Sequence, residues 1–324
     1  MLRIGLVGSG FMAQTHLDRY REMANATVAA VASRADAAAF VAENDLDAAT
    51  FVDAATMMDT DIDAVDVCTP TPTHRRFVEA AATRGLDAFC EKPLALTLED
   101  ATAVAEAVSK TGITLMIGHV LRFFPGYREI HAAVADGQVG APGTVRARRV
   151  SPFPDWADWY TDTDRSGGVF HDLAVHEFDF CRWAIGDVRR VFARQHRSAA
   201  NHRCHASLVF ENGAVGSVDA GWDRPPSGDL ASEFEVAGDE GVLEYDAEEG
   251  TPLAIETTGD DPTLPSAVAR DGYRRELDAF VRASVEGESS PIPVEDAVEA
   301  VRLSVAARRS AERGEPVEVA EVVA

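Results

Sequence analysis

The stretch LRIGLVGSGFMAQTHLDRY, Leu2 to Tyr20, decides how the first half of the chain folds. Leu2 to Val7 is a short apolar run of strand type, Gly8-Ser9-Gly10 is a turn, and a helical pattern runs from Met12 to about Met23. A strand that enters a helix through Gly-x-Gly-x-x-Ala is the fingerprint of a dinucleotide-binding unit. Gly8 permits the tight turn, Gly10 lets the backbone approach a pyrophosphate, and Ala13 lets the helix pack closely. Phe11 and Met12 open that helix, whose N-terminus favours an anion. Gly8, Gly10, Phe11 and Met12 are therefore candidate cofactor contacts.

Outward from this unit, Thr27 to Ala32 forms a second apolar strand that ends in Ser33-Arg34. NAD-selecting units carry an acid at this place for the ribose 2′-hydroxyl. A hydroxyl and a guanidinium there suit a 2′-phosphate instead, so the cofactor is expected to be NADP or NAD, with NADP favoured. A helix over Ala35–Glu43 comes next, then a strand over Ala64–Cys68 closed by the turn Thr69-Pro70-Thr71-Pro72-Thr73, and a helix from His74 to Thr83. Asp87–Cys90 reads as a strand, Leu98–Ser109 as a helix and Thr114–Gly118 as a strand. Strands alternating with helices imply right-handed crossovers and an α/β, doubly wound parallel sheet.

After Pro125 the period changes. A helix over Tyr127–Asp136 leads to strand patterns at Gly143–Val150, Val188–His196, Cys204–Phe210, Ala214–Ala220, Glu233–Ala237 and Val242–Tyr245. Hairpin turns fall at Glu211-Asn212-Gly213 and Gly238–Gly241, so this half is an α+β domain with a mostly antiparallel sheet. Glu248–Pro265, rich in Gly, Pro, Thr and Asp, reads as a surface loop. Helices over Tyr273–Ser284 and Val294–Glu312 and a short strand at Val317–Val319 finish the chain. The predicted domains are 1–123 and 124–324.

A chain of 324 residues has room for two cores. Its net charge of −24 disfavours nucleic acid and anionic membrane as partners. Two lysines among the basic residues, with abundant Asp and Ala, match the composition of haloarchaeal or other salt-adapted proteins. The N-terminus lacks a signal-peptide pattern and no stretch is long and apolar enough to span a membrane, so a cytoplasmic protein is expected. Cys68, Cys90, Cys181 and Cys204 show no CxxC pairing, and no metal site is expected. His202, Cys204 and His205 are adjacent in sequence but alternate between the faces of a strand.

One of the two lysines is Lys92, in Glu91-Lys92-Pro93, just after a parallel strand and hence at the sheet edge where such folds bind ligands. The segments GSGFMA, CTPTPTH at 68–74, EKP at 91–93 and GGVFHDLAVHEFD at 167–179 together resemble the Gfo/Idh/MocA oxidoreductase family over nearly the whole chain. The resemblance implies an N-terminal Rossmann domain joined to an α+β C-terminal domain with an open sheet that assembles into a homodimer or homotetramer. It implies NAD(P)-dependent oxidation of a sugar, polyol or inositol, with Lys92 beside the nicotinamide and the reacting carbon. An ammonium there can hydrogen-bond a hydroxyl and stabilise a developing alkoxide.

The same resemblance places the catalytic Asp and His on Asp172 and His176, with His176 as general base and Asp172 as its partner and substrate contact. The spacing i, i+4 on a helix beginning near His171 puts the two on one face. Asp179 is either a further neighbour of His176 or a structural pair. Thr69, Pro70 and His74 resemble the loop beside the cofactor's ribose and pyrophosphate, and Glu91 adjoins it. His119 and Arg122 are substrate contacts or packing residues. Asp155 and Trp156, in an aromatic and acidic loop, suit sugar binding or an interface. Two other functions share the fold: a non-catalytic cofactor-binding regulator, against which intact Lys92, Asp172 and His176 argue, and a glycosidase that uses bound NAD transiently.

Overall fold

The computed structural model describes the chain except for residues 156, 199, 200, 248–252 and 258–270. It divides into two compact units: Met1–Val120 with Asp271–Val298, and the described part of Leu121–Arg270 with Glu299–Ala324.

The first unit holds six strands, β1 (Leu2–Val7), β2 (Ala26–Ala32), β3 (Ala49–Phe51), β4 (Ala64–Val67), β5 (Asp87–Cys90) and β6 (Leu115–Ile117). They form one sheet in the order β3-β2-β1-β4-β5-β6, and every pairing is parallel. Five helices cross between them: α1 (Phe11–Tyr20), α2 (Ala37–Glu43), α3 (Ala54–Met58), α4 (His74–Ala82) and α5 (Leu98–Thr111). Helices on a parallel sheet demand strands buried on both faces, which is why β4 and β6 are buried at every residue and β1 at all but Arg3. Local chemistry sets the helix ends. Asp36, Asp53 and Thr97 accept backbone N–H groups at the starts of α2, α3 and α5, and Gly112 ends α5 in the left-handed conformation. Helix α1 stops at Tyr20, a turn earlier than its apolar pattern suggests. β3 and α3 lie where the sequence patterning gives no element.

The second unit is built on an eight-stranded sheet. Helix α6 (Pro125–Ala135) leads into β7 (Pro142–Pro152), followed by three helices, α7 (Thr163–Ser166), α8 (Gly168–Asp172) and α9 (Ala174–Ile185). The strands β8 (Val188–Arg197), β9 (His202–Phe210), β10 (Val215–Arg224), β11 (Ala231–Gly238), β12 (Gly241–Asp246) and β13 (Leu253–Thr257) come next. Two helices, α10 (Gly272–Glu286) and α11 (Val294–Arg313), and the short β14 (Val317–Glu318) complete the chain. The order is β13-β12-β11-β7-β10-β9-β8-β14, antiparallel throughout except for the parallel pair β7–β10. One sheet face is apolar and buried against α9, through residues such as Val145, Ala147, Phe234 and Val236. On alternate residues the other face carries charges opposite in register, Arg146 against Glu235 and Arg148 against Glu233, and a diagonal pair, Arg203 with Asp219 on the neighbouring strand.

Two expectations change. β13 lies within Glu248–Pro265, so part of that segment is a strand pairing with β12 rather than loop. Asp271–Val298, read from sequence as part of the second domain, belongs to the first unit. There α10 packs on α1, Arg19 pairs with Asp271 at 2.7 Å, and Phe280 meets Phe89 edge to face at 5.7 Å. Helical periodicity reveals a helix but not the core that it covers.

Candidate active site

Within the first unit the candidate cofactor residues share one edge. Gly8 follows β1, Ser33 follows β2, Thr69 follows β4, Glu91 and Lys92 follow β5, and His119 follows β6. The strand order reverses between β1 and β4, and ligands of open parallel sheets bind at the carboxyl ends at such a switch point. Gly8 has φ +115°, and a Cβ there would lie 2.4 Å from the Cys68 carbonyl oxygen, so only glycine fits. Gly10 differs, because a Cβ there would meet nothing within 4 Å. The protein itself leaves that space at the N-terminus of α1, as a backbone that cradles a pyrophosphate must. The residues present thus fit a dinucleotide. Phe11, the first helical residue, is 64% exposed, and Arg34 is exposed at the end of β2. The Ser33 hydroxyl bonds that of Ser9 at 2.8 Å, tying the two phosphate-side turns together.

The Thr69–Thr73 turn is braced internally. The Thr69 and Thr73 hydroxyls lie 2.7 Å apart, and Thr73 donates to the Pro70 carbonyl. His74 is buried, with Nε2 2.7 Å from the Thr69 carbonyl and Nδ1 2.9 Å from the Pro93 carbonyl. Burial pushes its pKa below the ordinary value, against the opposite pull of those carbonyls and of Glu91. His74 therefore holds two loops in place, and its ring nitrogens face protein rather than cofactor. His119 is buried at the end of β6.

A cluster that the sequence patterns do not single out lies beneath Glu91. His16 on α1 sits with Nδ1 2.9 Å from Asp66 Oδ2 and Nε2 3.2 Å from Glu91 Oε1. Tyr20 donates to Asp66 at 3.0 Å, and the Cys68 thiol lies 3.2 Å from Asp66 Oδ1. Burial disfavours charge on His16, but the Asp66 carboxylate outweighs it and holds the pKa well above the ordinary value. Burial raises the Cys68 thiol. The sequence signal was present: Asp66 interrupts the apolar strand Ala64-Val65-Asp66-Val67, and a carboxylate in a buried parallel strand requires partners.

In the second unit, Gly167 and Gly168 have φ +70° and +63°, and a Cβ at Gly167 would lie 2.5 Å from that of His171. The glycine pair thus starts α8 three residues before the expected helix start. The single helix expected across Asp172 and His176 is broken. α8 ends at Asp172, Leu173 intervenes with φ −105° and ψ −56°, and the His176 N–H bonds the Leu173 carbonyl in a tightened turn. The ideal i, i+4 alignment is therefore replaced by a kinked one. From Ser166 to Cys181 every residue is buried except His176, which is partly exposed.

The other acids of this segment are held by arginine. Glu177 takes the Arg149 Nε–H at 2.8 Å, and Arg149 also donates to the Tyr127 hydroxyl at 2.9 Å. Asp179 accepts two bonds from Arg122, at 2.6 and 2.9 Å, and the Arg122 side chain is 4% exposed. This places Asp179 in a buried ion pair with Arg122. Asp155 is exposed, and Trp156 lies outside the described residues. His202 and Cys204 point inward from β9 and His205 outward, as the strand period requires.

Residues 2–119 match the family described as "Oxidoreductase family, NAD-binding Rossmann fold", and residues 127–244 match the "GFO/IDH/MocA C-terminal domain". The chain belongs to the Gfo/Idh/MocA oxidoreductase family. It is 29% identical to inositol 2-dehydrogenase of Rhizobium meliloti, over 95% of this chain and 96% of that one. It is 31% identical to D-xylose 1-dehydrogenase (NADP(+)) 2 of Haloferax volcanii, over 90% of this chain and 91% of that one. Among solved structures, a probable dehydrogenase from Thermotoga maritima superposes with a TM-score of 0.86 at 27% identity, covering 99% of this chain and 100% of that chain. No helix among the described residues is long and apolar enough to cross a membrane.

Proposed function

We propose that the protein oxidises a secondary alcohol of a sugar, polyol or inositol with NAD(P), preferring NADP. One observation carries the reading: the turns after β1, β2, β4, β5 and β6 bring Gly8, Ser33, Thr69, Lys92 and His119 to one sheet edge of a Rossmann unit. In the second unit, His176 is the one partly exposed side chain of a buried segment. Relatives named inositol 2-dehydrogenase and D-xylose 1-dehydrogenase (NADP(+)) support the substrate class. The latter and the exposed Arg34 support NADP. The net charge of −24 supports a salt-adapted protein. Family kinship supports a homodimer or homotetramer.

Gly8, Gly10, Phe11, Met12, Ser33 and Arg34 would hold the cofactor, with the N-terminus of α1 facing the pyrophosphate. When bound, NAD(P) supplies the hydride acceptor. His176 takes the proton of the substrate hydroxyl, because imidazole has the right intrinsic affinity for a proton near neutrality. Asp172, buried at the end of α8 just ahead of the turn that carries His176, orients it. The Lys92 ammonium stabilises the oxygen as negative charge develops.

The test is absorbance at the reduced-nicotinamide band in molar salt, across aldoses, polyols and inositols with each cofactor separately. Reduction by at least one of them is expected, and no turnover with any removes the dehydrogenase reading. Lys92→Met and His176→Ala should each lower kcat by roughly 10²- to 10⁴-fold with little change in cofactor affinity. Arg34→Ala should weaken NADP selectively, and equal loss for both cofactors would remove the basis for the preference.

A further inference from the structure

We propose that His16 is a positioning residue for Lys92: a buried imidazolium between Asp66 and Glu91 that fixes the Glu91 carboxylate and, through it, the backbone at Lys92. The proposal rests on the reading of Lys92 as catalytic.

Three elements contribute. His16 lies on the buried face of α1, Asp66 in the middle of β4, and Glu91 on the residue after β5. Both ring nitrogens face carboxylate oxygens, at 2.9 Å for Asp66 and 3.2 Å for Glu91, the second an ion pair without the alignment of a hydrogen bond. A neutral imidazole has one N–H, so one carboxylate would face a lone pair, whereas the imidazolium offers a donor to each. His16 and Asp66 are 0% exposed and Glu91 is 7% exposed, so unmatched charge here would be costly. The groups facing the ring are Asp66, Cys68 and Glu91, with the Phe89 ring edge-on at 5.3 Å and Tyr20 reaching Asp66 from the same helix. Glu276 of α10, in turn, acts on Tyr20.

Glu91 transmits the constraint. One of its oxygens faces His16, while the other accepts the Lys92 backbone N–H at 3.1 Å. A Cβ on Gly118 would lie 3.3 to 3.4 Å from this carboxylate, so the neighbouring strand end packs closely against it. On the far side of Lys92, the Pro93 carbonyl is held by His74. Lys92 is thus bracketed by two buried histidines, one acting through a carboxylate and one through a carbonyl. An interior that only had to be stable would do as well with apolar residues of similar size. A charged bridge that ends on the backbone of Lys92 instead fixes where that residue begins.

His16 Nδ1, Asp66 and Cys68 also offer three donor atoms within 4.8 Å of one another, the spacing of a metal site. A metal there would need the ring deprotonated at Nδ1, so the two readings are exclusive.

The test uses the full-length protein with three variants, His16→Gln, Glu91→Gln and Lys92→Met. Nitrogen-15 NMR of the wild-type histidines should show His16 doubly protonated at pH 7.5. The Lys92 amide proton should move upfield in Glu91→Gln and also in His16→Gln, although residue 16 does not touch Lys92. On whichever substrate the panel identifies, both Gln variants should lower kcat about 10- to 100-fold, with KM and cofactor affinity within about threefold. A neutral His16, a stoichiometric bound metal, or a Lys92 amide unmoved in His16→Gln overturns the proposal. So does unchanged kcat in both Gln variants where Lys92→Met is inactive. An active Lys92→Met removes the catalytic reading of Lys92 instead, while the NMR result still decides the bridge. Should His16→Gln fail to fold, the near-isosteric Glu91→Gln and the wild-type spectrum carry the decision.

Discussion

The two units bury charge in opposite styles. The parallel-sheet unit gathers two carboxylates around one histidine, His16, whereas the mixed-sheet unit forks arginine onto carboxylate twice, Arg149 on Glu177 and Arg122 on Asp179. Guanidinium is permanently charged and planar, so an arginine fork is a fixed brace. Imidazole is charged only where its surroundings make it so, and it can end on two partners at once. His202 in the second unit shows the contrast within one residue type. It lies 3.5 Å from the Val169 N–H through Nδ1 and 2.9 Å from the Gln195 side-chain oxygen through Nε2, a pattern that suits the neutral ring. Its pKa is lowered to about 4, by burial first and then by Arg197. Identical side chains are thus held charged in one core and neutral in the other.

The comparison breaks most visibly at the arginine forks. Glu177→Ala removes the carboxylate opposite a buried guanidinium and should cost about 3–5 kcal/mol, read as a lower urea midpoint. Replacing Glu177 and Arg149 together with apolar residues of similar size should recover most of that loss. Asp66→Asn takes one charge from the His16 cluster and should cost about 3 kcal/mol, with His16 becoming neutral in the same NMR experiment. If His16 stays charged, the contrast between the units is weaker than the geometry implies.

Next comes pH, where the two histidines should behave oppositely. His202 has a lowered folded-state pKa, so its contribution is present above about 6.5 and is lost as pH falls toward about 4. The loss should be roughly 2–3 kcal/mol in that window, and His202→Gln should flatten it. His16 has a raised folded-state pKa, so its contribution is complete below about 6.5 and is lost progressively as pH rises from there through the higher folded value. Thermal melts of His16→Gln and wild type should therefore converge at alkaline pH. The smallest effect belongs to the exposed ladder: Arg148→Ala should change stability by less than about 1 kcal/mol, and by less still in molar salt.

Five of the six strands of the first sheet were plain in the sequence, because buried parallel strands read as apolar runs and the glycine turn after β1 dictates the helix beyond it; the exposed β3 gave no such run. The strands of the second sheet were visible because one face is polar and the alternation survives, as in Val145 to Arg148. Three further features were not legible. β13, Leu253–Thr257, is a short, largely apolar run inside a segment otherwise rich in Gly, Pro, Thr and Asp, and its pairing with β12 shows it to be a strand. The break at Leu173 between α8 and α9 is a departure from helical backbone that spacing along a helix cannot express. His16 and Asp66 lie 50 residues apart, and nothing in either segment alone points to the other. Of the candidate site, Lys92, Asp172 and His176 were readable through their motifs. The support that holds Lys92 in place was not, because the cluster exists only once β4 and β5 lie side by side beneath α1.

The discontinuity of the first unit bears on how the chain is made. Its last helix, α10, covers α1 and sets Phe280 against Phe89, yet it is translated after almost the entire second unit. Emerging from the ribosome, the six parallel strands would wait about 150 residues with that apolar face uncovered, a window in which a chaperone guards against aggregation. A fragment ending at Phe123 would keep the complete nucleotide-binding motif and lack the helix that covers α1 and Phe89.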